Sequence, residues 1–325
     1  MPLTRRRLLA AAALAPLPLV LSRGAGAADP IDLLKVFVPA NPGGGWDQTA
    51  RSIEQAMKGA GLIKAAQLTN VGGAGGTVGL PRFVNQWKGQ ANSIMVSGQV
   101  MVGATVANKS PLTLADVTPV ARLTGEFDVI AVRAASPHKS LADVVAALKE
   151  NPGAVSWAGG SAASIDHMVA GLIAKSAGVD PKKVAYVAYP GGGPAVAAIL
   201  GGQVTCGVSG WAELSEHIKA GTMRALALSA PARLPGIDVP TLKELGFDIE
   251  MMNWRGVFAP PGLAAAEVDK LVALFTAMAK SPAWAEVRAQ RGWVDMFQTG
   301  PDFAAYIKAD TARIAGVLKD LGLAS

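Results

Sequence analysis

The feature that most constrains this chain is a short unit that recurs five times: an apolar strand, a glycine-rich turn and a helix. The strands are predicted at 33–39, 67–71, 154–158, 184–188 and 204–208, the turns at 41–45, 72–76, 159–161, 190–193 and 209–210, and the helices at 47–58, from 77 onward, and at 164–176, 194–200 and 211–220. Strands that alternate with helices at this spacing predict an α/β fold with a mostly parallel sheet. In such a sheet the turns gather at the carboxyl edge, where open α/β folds bind ligands.

Two of the turns share the sequence Pro-Gly-Gly-Gly, at 42–45 and 190–193. This near-repeat predicts two similar domains, each of which contributes one turn to a shared cleft. Strand-like segments at 123–133 and 253–259 are the expected crossings between them. Apolar residues at helical spacing in 264–280 and 302–321 predict helices that return to the first domain, so the expected domains are 28–127 plus 254–325, and 128–253.

A glycine turn at the start of a helix can bind an anion without a basic side chain. It exposes backbone N–H groups that have no partner within the helix, and the helix dipole adds partial positive charge there. Five such turns around one cleft indicate a small ligand with one or more carboxylates. For any single turn the plainer interpretation stays open, that glycine only permits a tight connection. Asp47, in the first helical turn, either complements the helix dipole, orders the turn or accepts a hydrogen bond from the ligand.

Nucleotide and metal sites fit the sequence poorly. No Gly-x-x-x-x-Gly-Lys-Ser/Thr motif is present, and 73–79 has the wrong last spacing for a dinucleotide fingerprint. The single cysteine, Cys206, lies in an apolar stretch that favours a buried, inert thiol, and with only three histidines it argues against a structural zinc site. We expect neither a metal nor a cofactor.

An exported serine-type hydrolase is the enzymatic alternative, with Ser161 or Ser209 as the nucleophile. Neither serine lies in a Gly-x-Ser-x-Gly motif. Ser164, Asp166 and His167 fall within four residues at a helix start, which is typical of helix capping, whereas triad members come from separate segments. We therefore expect a protein that is not an enzyme and has no catalytic residues.

Residues 1–27 are predicted to be a cleaved export signal. Arginines occupy 5–7, an apolar run follows as far as Leu21, and small residues at 25–27 form a cleavage site. The arginine pattern favours the twin-arginine route over the general route. Removal of this segment takes away four arginines and no acidic residue, so the formal net charge falls from +6 to +2. We expect a periplasmic protein without the basic surplus of a nucleic-acid binder.

Six motifs follow one another along the chain. They are 42–47 (Pro-Gly-Gly-Gly-Trp-Asp), 70–76 (Asn-Val-Gly-Gly-Ala-Gly-Gly), 158–161 (Ala-Gly-Gly-Ser) with 166–167 (Asp-His), 189–193 (Tyr-Pro-Gly-Gly-Gly), 200–204 (Leu-Gly-Gly-Gln-Val) and 254–262 (Trp-Arg-Gly-Val-Phe-Ala-Pro-Pro-Gly). In this order they closely resemble the periplasmic substrate-binding proteins of tripartite tricarboxylate transporters, the Bug family. The resemblance implies a two-domain, type II-like periplasmic binding protein fold with the ligand cleft between the domains.

By position, the resemblance implies that the turns at 43–47 and 190–193 grip one ligand carboxylate, partly through water, and that several side chains beyond them face the rest of the ligand. The candidate ligand-binding residues are Gly43, Gly44, Gly45, Trp46, Asp47, Gly75, Gly76, Thr77, Ser161, Ser164, His167, Pro190, Gly191, Gly192, Gly193 and Ser209. Trp46 before Asp47 resembles the tricarboxylate-binding branch of the family. Pro190, however, stands where many relatives have Lys or Arg, so recognition rests more on backbone amides and the choice between di- and tricarboxylates stays open.

The resemblance also implies the partners. They are a small carboxylate ligand and the large and small membrane subunits of the transporter, with no nucleic acid, and the protein itself is expected to be a monomer. A sensor module that presents the ligand to a membrane kinase is the remaining alternative, which the sequence does not separate from transport.

Overall fold

The computed structural model describes residues 30–324, so the predicted signal at 1–27 lies outside the described residues. Within that range the strands are β1 Ile31–Val38, β2 Ile63–Asn70, β3 Ser93–Gly98, β4 Thr118–Arg133, β5 Ser156–Gly159, β6 Ala185–Ala188, β7 Cys206–Gly210, β8 Met223–Leu228, β9 Met252–Ala259 and β10 Val294–Thr299. The α-helices are α1 Gly45–Gly59, α2 Gly79–Gln86, α3 Gln99–Ala107, α4 Leu141–Glu150, α5 Ile165–Ser176, α6 Gly192–Leu200, α7 Trp211–Lys219, α8 Ala265–Ala279, α9 Pro282–Arg291 and α10 Gly300–Asp320.

The strands form a mixed sheet in the order β2-β1-β3-β9-β4-β7-β5-β6, and β8 and β10 each pair with β4. Pairing is parallel between β1 and its neighbours β2 and β3, and between β5 and its neighbours β6 and β7. Pairing is antiparallel wherever β4 or β9 takes part. The prediction of a mostly parallel sheet is therefore wrong. Parallel pairing is confined to the two ends of the sheet, and β4 and β9 lie between those ends and run antiparallel to their neighbours.

Strand β4 is long enough to belong to both ends of the sheet. Its first part, as far as Phe127, pairs with β9 and β10, and its last part, from Asp128, pairs with β7 and β8. We call β1–β3, β9 and β10 with α1–α3 and α8–α10 the first half, and β5–β8 with α4–α7 the second half. The predicted crossing at 123–133 falls within β4, and the one at 253–259 falls within β9.

Local chemistry explains where several helices begin. Helix α4 follows Ser140, which forms a capping box with Asp143, and α5 follows Ser164, whose hydroxyl accepts a backbone N–H of the first turn. By contrast, α1 and α6 follow Gly44 and Gly191, and neither start has a side-chain cap. No side chain therefore caps the N–H groups at these two starts.

The C-terminal helices return to the first half, as the sequence predicts. Helix α10 packs against α3, β4 and β10, and α8 packs against β4. The carboxylate of Asp310 on α10 accepts a hydrogen bond from Trp254 Nε1 on β9 at 2.7 Å, which fixes the last helix to the sheet. Among the helices described, none has the length and apolar character needed to cross a membrane.

Candidate functional site

A cleft lies between the two halves, where the strands end. It contains about 630 Å³ of space, part of which is open to solvent. Ten of the predicted ligand-binding residues line it: Gly44, Gly45, Trp46, Gly75, Gly76, Ser161, Ser164, Pro190, Gly191 and Gly192. The other six predicted residues are not among those that line it: Gly43, Asp47, Thr77, His167, Gly193 and Ser209. Four of the five predicted glycine turns thus reach the cleft, and the fifth, at 209–210, does not.

The two Pro-Gly-Gly-Gly turns meet across the cleft. A Cβ atom at Gly44 would lie 3.7 Å from the backbone nitrogen of Gly192, and one at Gly193 would lie 3.9 Å from the carbonyl carbon of Gly43. Glycine at these positions leaves room for the two backbones to approach each other. The two halves therefore approach each other closely at these two turns.

Asp47 holds the first turn in place. Its buried carboxylate accepts hydrogen bonds from the backbone nitrogen of Gly43 at 2.9 Å, from Asn70 Nδ2 at 3.0 Å and from Arg51 Nε at 2.9 Å. Burial by itself raises the pKa of Asp47, but the bonds from Arg51, Gly43 and Asn70 outweigh burial and leave the pKa below its ordinary value. Asp47 therefore orders the turn, which is one of the roles that the sequence allowed.

Ser161 and Ser164 line the cleft, and His167 lies beside them. Ser161 Oγ is buried and has no hydrogen-bond partner among residues 30–324. Ser164 Oγ accepts the backbone N–H of His167 at 3.4 Å, so serine and histidine meet through a helix cap. The His167 ring stacks on Tyr186 with its centroid 4.0 Å away, and its Nδ1 accepts the N–H of Ala163. Burial lowers the pKa of His167 to about 4, so this ring is neutral at pH 7.

Thr77 and Ser209 serve neighbouring groups. Thr77 Oγ1 donates to the carbonyl oxygen of Ala74 at 2.8 Å, within its own turn. Ser209 Oγ donates to Glu213 Oε2 at 2.6 Å. Ser209 therefore does not line the cleft itself but contacts Glu213, which does. Glu213 was not among the predicted site residues.

Arg255 on β9 also lines the cleft, although it is not among the predicted ligand-binding residues. Its side chain is buried and pairs with Glu126 on β4, which also accepts the indole N–H of Trp293 at 3.2 Å and the backbone N–H of Ala212 at 3.4 Å. Arg255 Nε and Nη1 have no hydrogen-bond partner in the described part of the chain. A buried guanidinium with N–H groups to spare is suited to bind a carboxylate.

A signal for Arg255 was present in the sequence. It is the sole charged residue of the strand Met252–Ala259, whose other side chains are apolar or neutral. A Cβ atom at Gly45 would collide with the Arg255 guanidinium, so the first glycine turn also makes room for this side chain. Beside the backbone amides of the glycine turns, the cleft thus contains a guanidinium, which is paired with Glu126.

Three further carboxyl groups lie near this ion pair: Asp128, Asp166 and Glu213. Burial, together with the charge of Glu126 and against that of Arg255, raises the pKa of Glu213 to about 7. Burial raises the pKa of Asp128 well above its ordinary range, and nearby Asp166 and Glu126 add to this. The acidic groups around the ion pair therefore oppose one another's ionisation.

Comparison with known proteins agrees with this architecture. The family model described as "Tripartite tricarboxylate transporter family receptor" matches residues 50–323. Protein BugT of Bordetella pertussis is 28% identical over 294 residues, which cover 89% of this chain and 89% of BugT.

Solved structures show the same fold. The periplasmic binding protein BugD superposes with a TM-score of 0.82 at 24% identity, covering 91% of this chain and 99% of BugD. MatC from Rhodopseudomonas palustris with bound malate gives a TM-score of 0.78 at 25% identity, covering 89% of this chain and 99% of MatC. The fold is thus the α/β fold of periplasmic binding proteins, with the cleft between its two halves. Because the family model matches well over half of the sequence, this chain belongs to the tripartite tricarboxylate transporter receptor family.

Proposed function

We propose that this chain is a solute-binding receptor that captures a small organic di- or tricarboxylate and delivers it to the membrane subunits of a tripartite tricarboxylate transporter. The observation that carries the proposal is Arg255, whose Nε and Nη1 lack a partner among residues 30–324 at the wall of the cleft. Glu126 balances the charge of Arg255, but its buried Nε and Nη1 still lack acceptors, and a carboxylate that arrives from solution can supply them. The bound malate of MatC, a structural neighbour, supports a dicarboxylate ligand.

In this proposal each part of the cleft has a task. Arg255 binds one ligand carboxylate, and the uncapped starts of α1 and α6 donate backbone N–H groups to carboxylate oxygens. Ser161 Oγ, which is buried and has no partner in the described chain, donates to the more distant end of the ligand. Trp46, only 6% exposed, covers the apolar body of the ligand.

The domain and cellular assignments are part of the same proposal. The two halves act as domains, 28–127 plus 254–325 and 128–253, whose closure around the acid is the signal to the transporter. The predicted signal at 1–27 and membership of a receptor family support export to the periplasm. There the protein acts as a monomer that meets a large and a small membrane subunit.

Calorimetry of the purified mature chain tests the proposal. Citrate, tricarballylate, succinate, malate, adipate and terephthalate are titrated at pH 7, and at least one acid is expected to bind at micromolar concentration or below. Neutral dimethyl succinate is the matched control and should give no heat, since it keeps the carbon skeleton without the charge. Absence of binding for every acid contradicts the proposal.

The hydrolase alternative finds no support in the geometry. Ser209 Oγ is buried and donates to Glu213, and Ser161 Oγ has no imidazole partner within residues 30–324. Turnover of an ester panel that disappears in Ser161→Ala would nevertheless reverse this conclusion. The sensor alternative uses the same cleft, and the membrane protein recovered by cross-linking to the liganded receptor distinguishes it from transport.

A further inference from the structure

The wall of the cleft places two glutamates near one arginine. Arg255 already pairs with Glu126, and its charge also reaches Glu213 in the first turn of α7. Glu213 Oε2 accepts the hydroxyl proton of Ser209 at 2.6 Å. Glu213 Oε1 is buried, borders the Gly192 backbone and has no hydrogen-bond partner among the residues described. Arg255 is therefore paired with Glu126, and Glu213 lies within reach of its charge without an ion pair of its own.

A ligand carboxylate on Arg255 would bring a third acidic group to this site. Since Glu126 already neutralises Arg255, an ionised ligand and an ionised Glu213 would face each other without a cation between them. Like charges in a buried site cannot both persist, and the usual outcome is that one of the groups binds a proton. A protonated Glu213 would also gain a donor on the oxygen that now lacks a partner.

We propose that Glu213 takes up a proton from solution when the ligand binds and donates it as a hydrogen bond to the ligand carboxylate, so that the receptor captures its acid together with one proton. The proposal rests on the function proposed above, because it concerns the same cleft. It makes Glu213 the residue that couples ligand affinity to pH.

The charged groups around Glu213 agree with this role. Glu126 and Asp128 on β4 and Asp166 on α5 are acidic and disfavour a further negative charge, whereas Arg255 on β9 favours one. Arg291, at the end of α9, lies near Arg255 and Glu126. Burial already brings the pKa of Glu213 to about 7 in the free protein, and an added anion raises it further.

Calorimetry in buffers of different ionisation enthalpy measures the proton directly. Succinate, malate and adipate are titrated between pH 7 and 8.5, where these acids are already fully ionised. At pH 7.5 the wild-type protein should take up roughly half a proton or more per ligand, because a pKa near 7 leaves most Glu213 ionised in the free protein. Affinity should fall by up to about tenfold per pH unit above pH 7.

Three variants assign the proton. Glu213→Gln keeps a donor at this position, so it should bind the acids with no proton uptake and a flat pH profile. Ser209→Ala removes a hydrogen bond that favours the ionised form, so the onset of the pH dependence should move to higher pH. Glu216→Gln, on the exposed side of the same helix, is the matched control and should behave like the wild type. Thermal melting shows that each variant is folded.

The possible results distinguish a failure of the proton-uptake proposal from a failure of the proposed receptor function. Binding without proton uptake, or uptake that persists in Glu213→Gln, overturns the role of Glu213 and leaves the carboxylate receptor standing. Proton release, with a preference for aspartate over succinate, also overturns it, because an ionised Glu213 would then accept from a ligand ammonium group. No binding of any acid overturns the proposed function, and the proton coupling falls with it.

Discussion

Arg255 and Glu126 form a buried ion pair that folding alone does not require. Both side chains are almost completely inaccessible to solvent. A buried ion pair adds little to stability because the cost of removing both charges from water offsets their attraction. The pair is better explained by the anion that the free N–H groups of Arg255 can bind than by the stability of the fold.

The double variant Glu126→Gln/Arg255→Gln tests this explanation. We predict that it folds and binds dicarboxylates about 10- to 100-fold more weakly, since hydrogen bonds to a charged group contribute about 1.5–3 kcal/mol. Calorimetry with malate gives the affinity, and thermal melting gives the stability. Arg255→Gln alone should lose about 3–5 kcal/mol of stability, because it strands the Glu126 charge. An unchanged affinity in the double variant would show that the carboxylate binds elsewhere.

His167 gives a second residue-scale prediction, on stability. Its pKa of about 4 in the folded protein lies below the ordinary value of 6.5, so between these pH values the unfolded chain binds a proton that the folded chain does not. Folding stability should therefore be complete above about pH 6.5 and fall as pH drops toward 4, by up to about 1.4 kcal/mol per pH unit.

Chemical denaturation of wild type and His167→Gln between pH 8 and pH 4 measures this contribution. At pH 8 the imidazole is neutral in both states, so the difference between the two proteins there reports the stacking on Tyr186 and the hydrogen bond from Ala163, without a contribution from proton binding. Below pH 6.5 the wild type should lose stability relative to the variant. Parallel stability curves at every pH would contradict the burial of a neutral ring.

At the residue scale, the sequence predicted the backbone turns of the cleft better than its charged side chains. Glycine turns are recognisable because few other residues permit their geometry, and most of the predicted glycines line the cleft. Glu126 and Glu213 were not predicted as site residues, and the sequence marks Arg255 only as the lone charge of an apolar strand. The role of such a charge becomes clear only when its partner strand is known. Glu213 follows Ser209 by four residues, and only the fold shows that the glutamate is the one facing the cleft.

At the scale of elements, the predictable parts are those built from strand, glycine turn and helix. Strands β3, β8 and β10 and helices α3, α4 and α9 were not predicted. Strands β8 and β10 pair antiparallel with β4, and no glycine-rich turn marks them in the sequence. The length of β4, 16 residues, also depends on partners from both halves that no local pattern reveals.

The start of α1 against β9 gives a prediction at the element scale. Gly45→Ala would place a Cβ atom in the space of the Arg255 guanidinium, so we expect the guanidinium to shift and the affinity for dicarboxylates to fall at least about tenfold. Gly59→Ala, at the other end of the same helix, is the matched control, because a Cβ there would have an ordinary contact of 3.4 Å. Calorimetry measures the affinity of both variants for dicarboxylates. Equal affinities would show that ligand binding does not depend on the space that Gly45 leaves for Arg255.

At the scale of the whole molecule, the halves touch at several places around the cleft. A Cβ atom at Gly103 in the first half would collide with the carbonyl oxygen of Ala163 in the second, and one at Gly292 would lie 2.8 Å from Trp211 Cδ1. At these positions the backbone of one half lies so close to the other half that only glycine fits between them. Such close contacts would be lost if the halves moved apart. We therefore interpret the structure as the closed member of an open and closed pair, which the ligand stabilises through its contacts with both halves.

Paired spin labels test this closure. Val78 in the first half and Val187 in the second are exposed and accept cysteine without disturbing the core, and Cys206 is buried, with a raised pKa, and should stay unlabelled. In the double variant Val78→Cys/Val187→Cys we predict a broad distribution of distances between the two labels in the absence of ligand. Double electron-electron resonance should show that the distances become shorter and their distribution narrower when the acid is added at a saturating concentration. Leu33→Cys/Val78→Cys, with both labels in the first half, should not change. A Val78–Val187 distance that is the same with and without ligand would mean that the halves do not move and that the acid enters a permanently closed cleft.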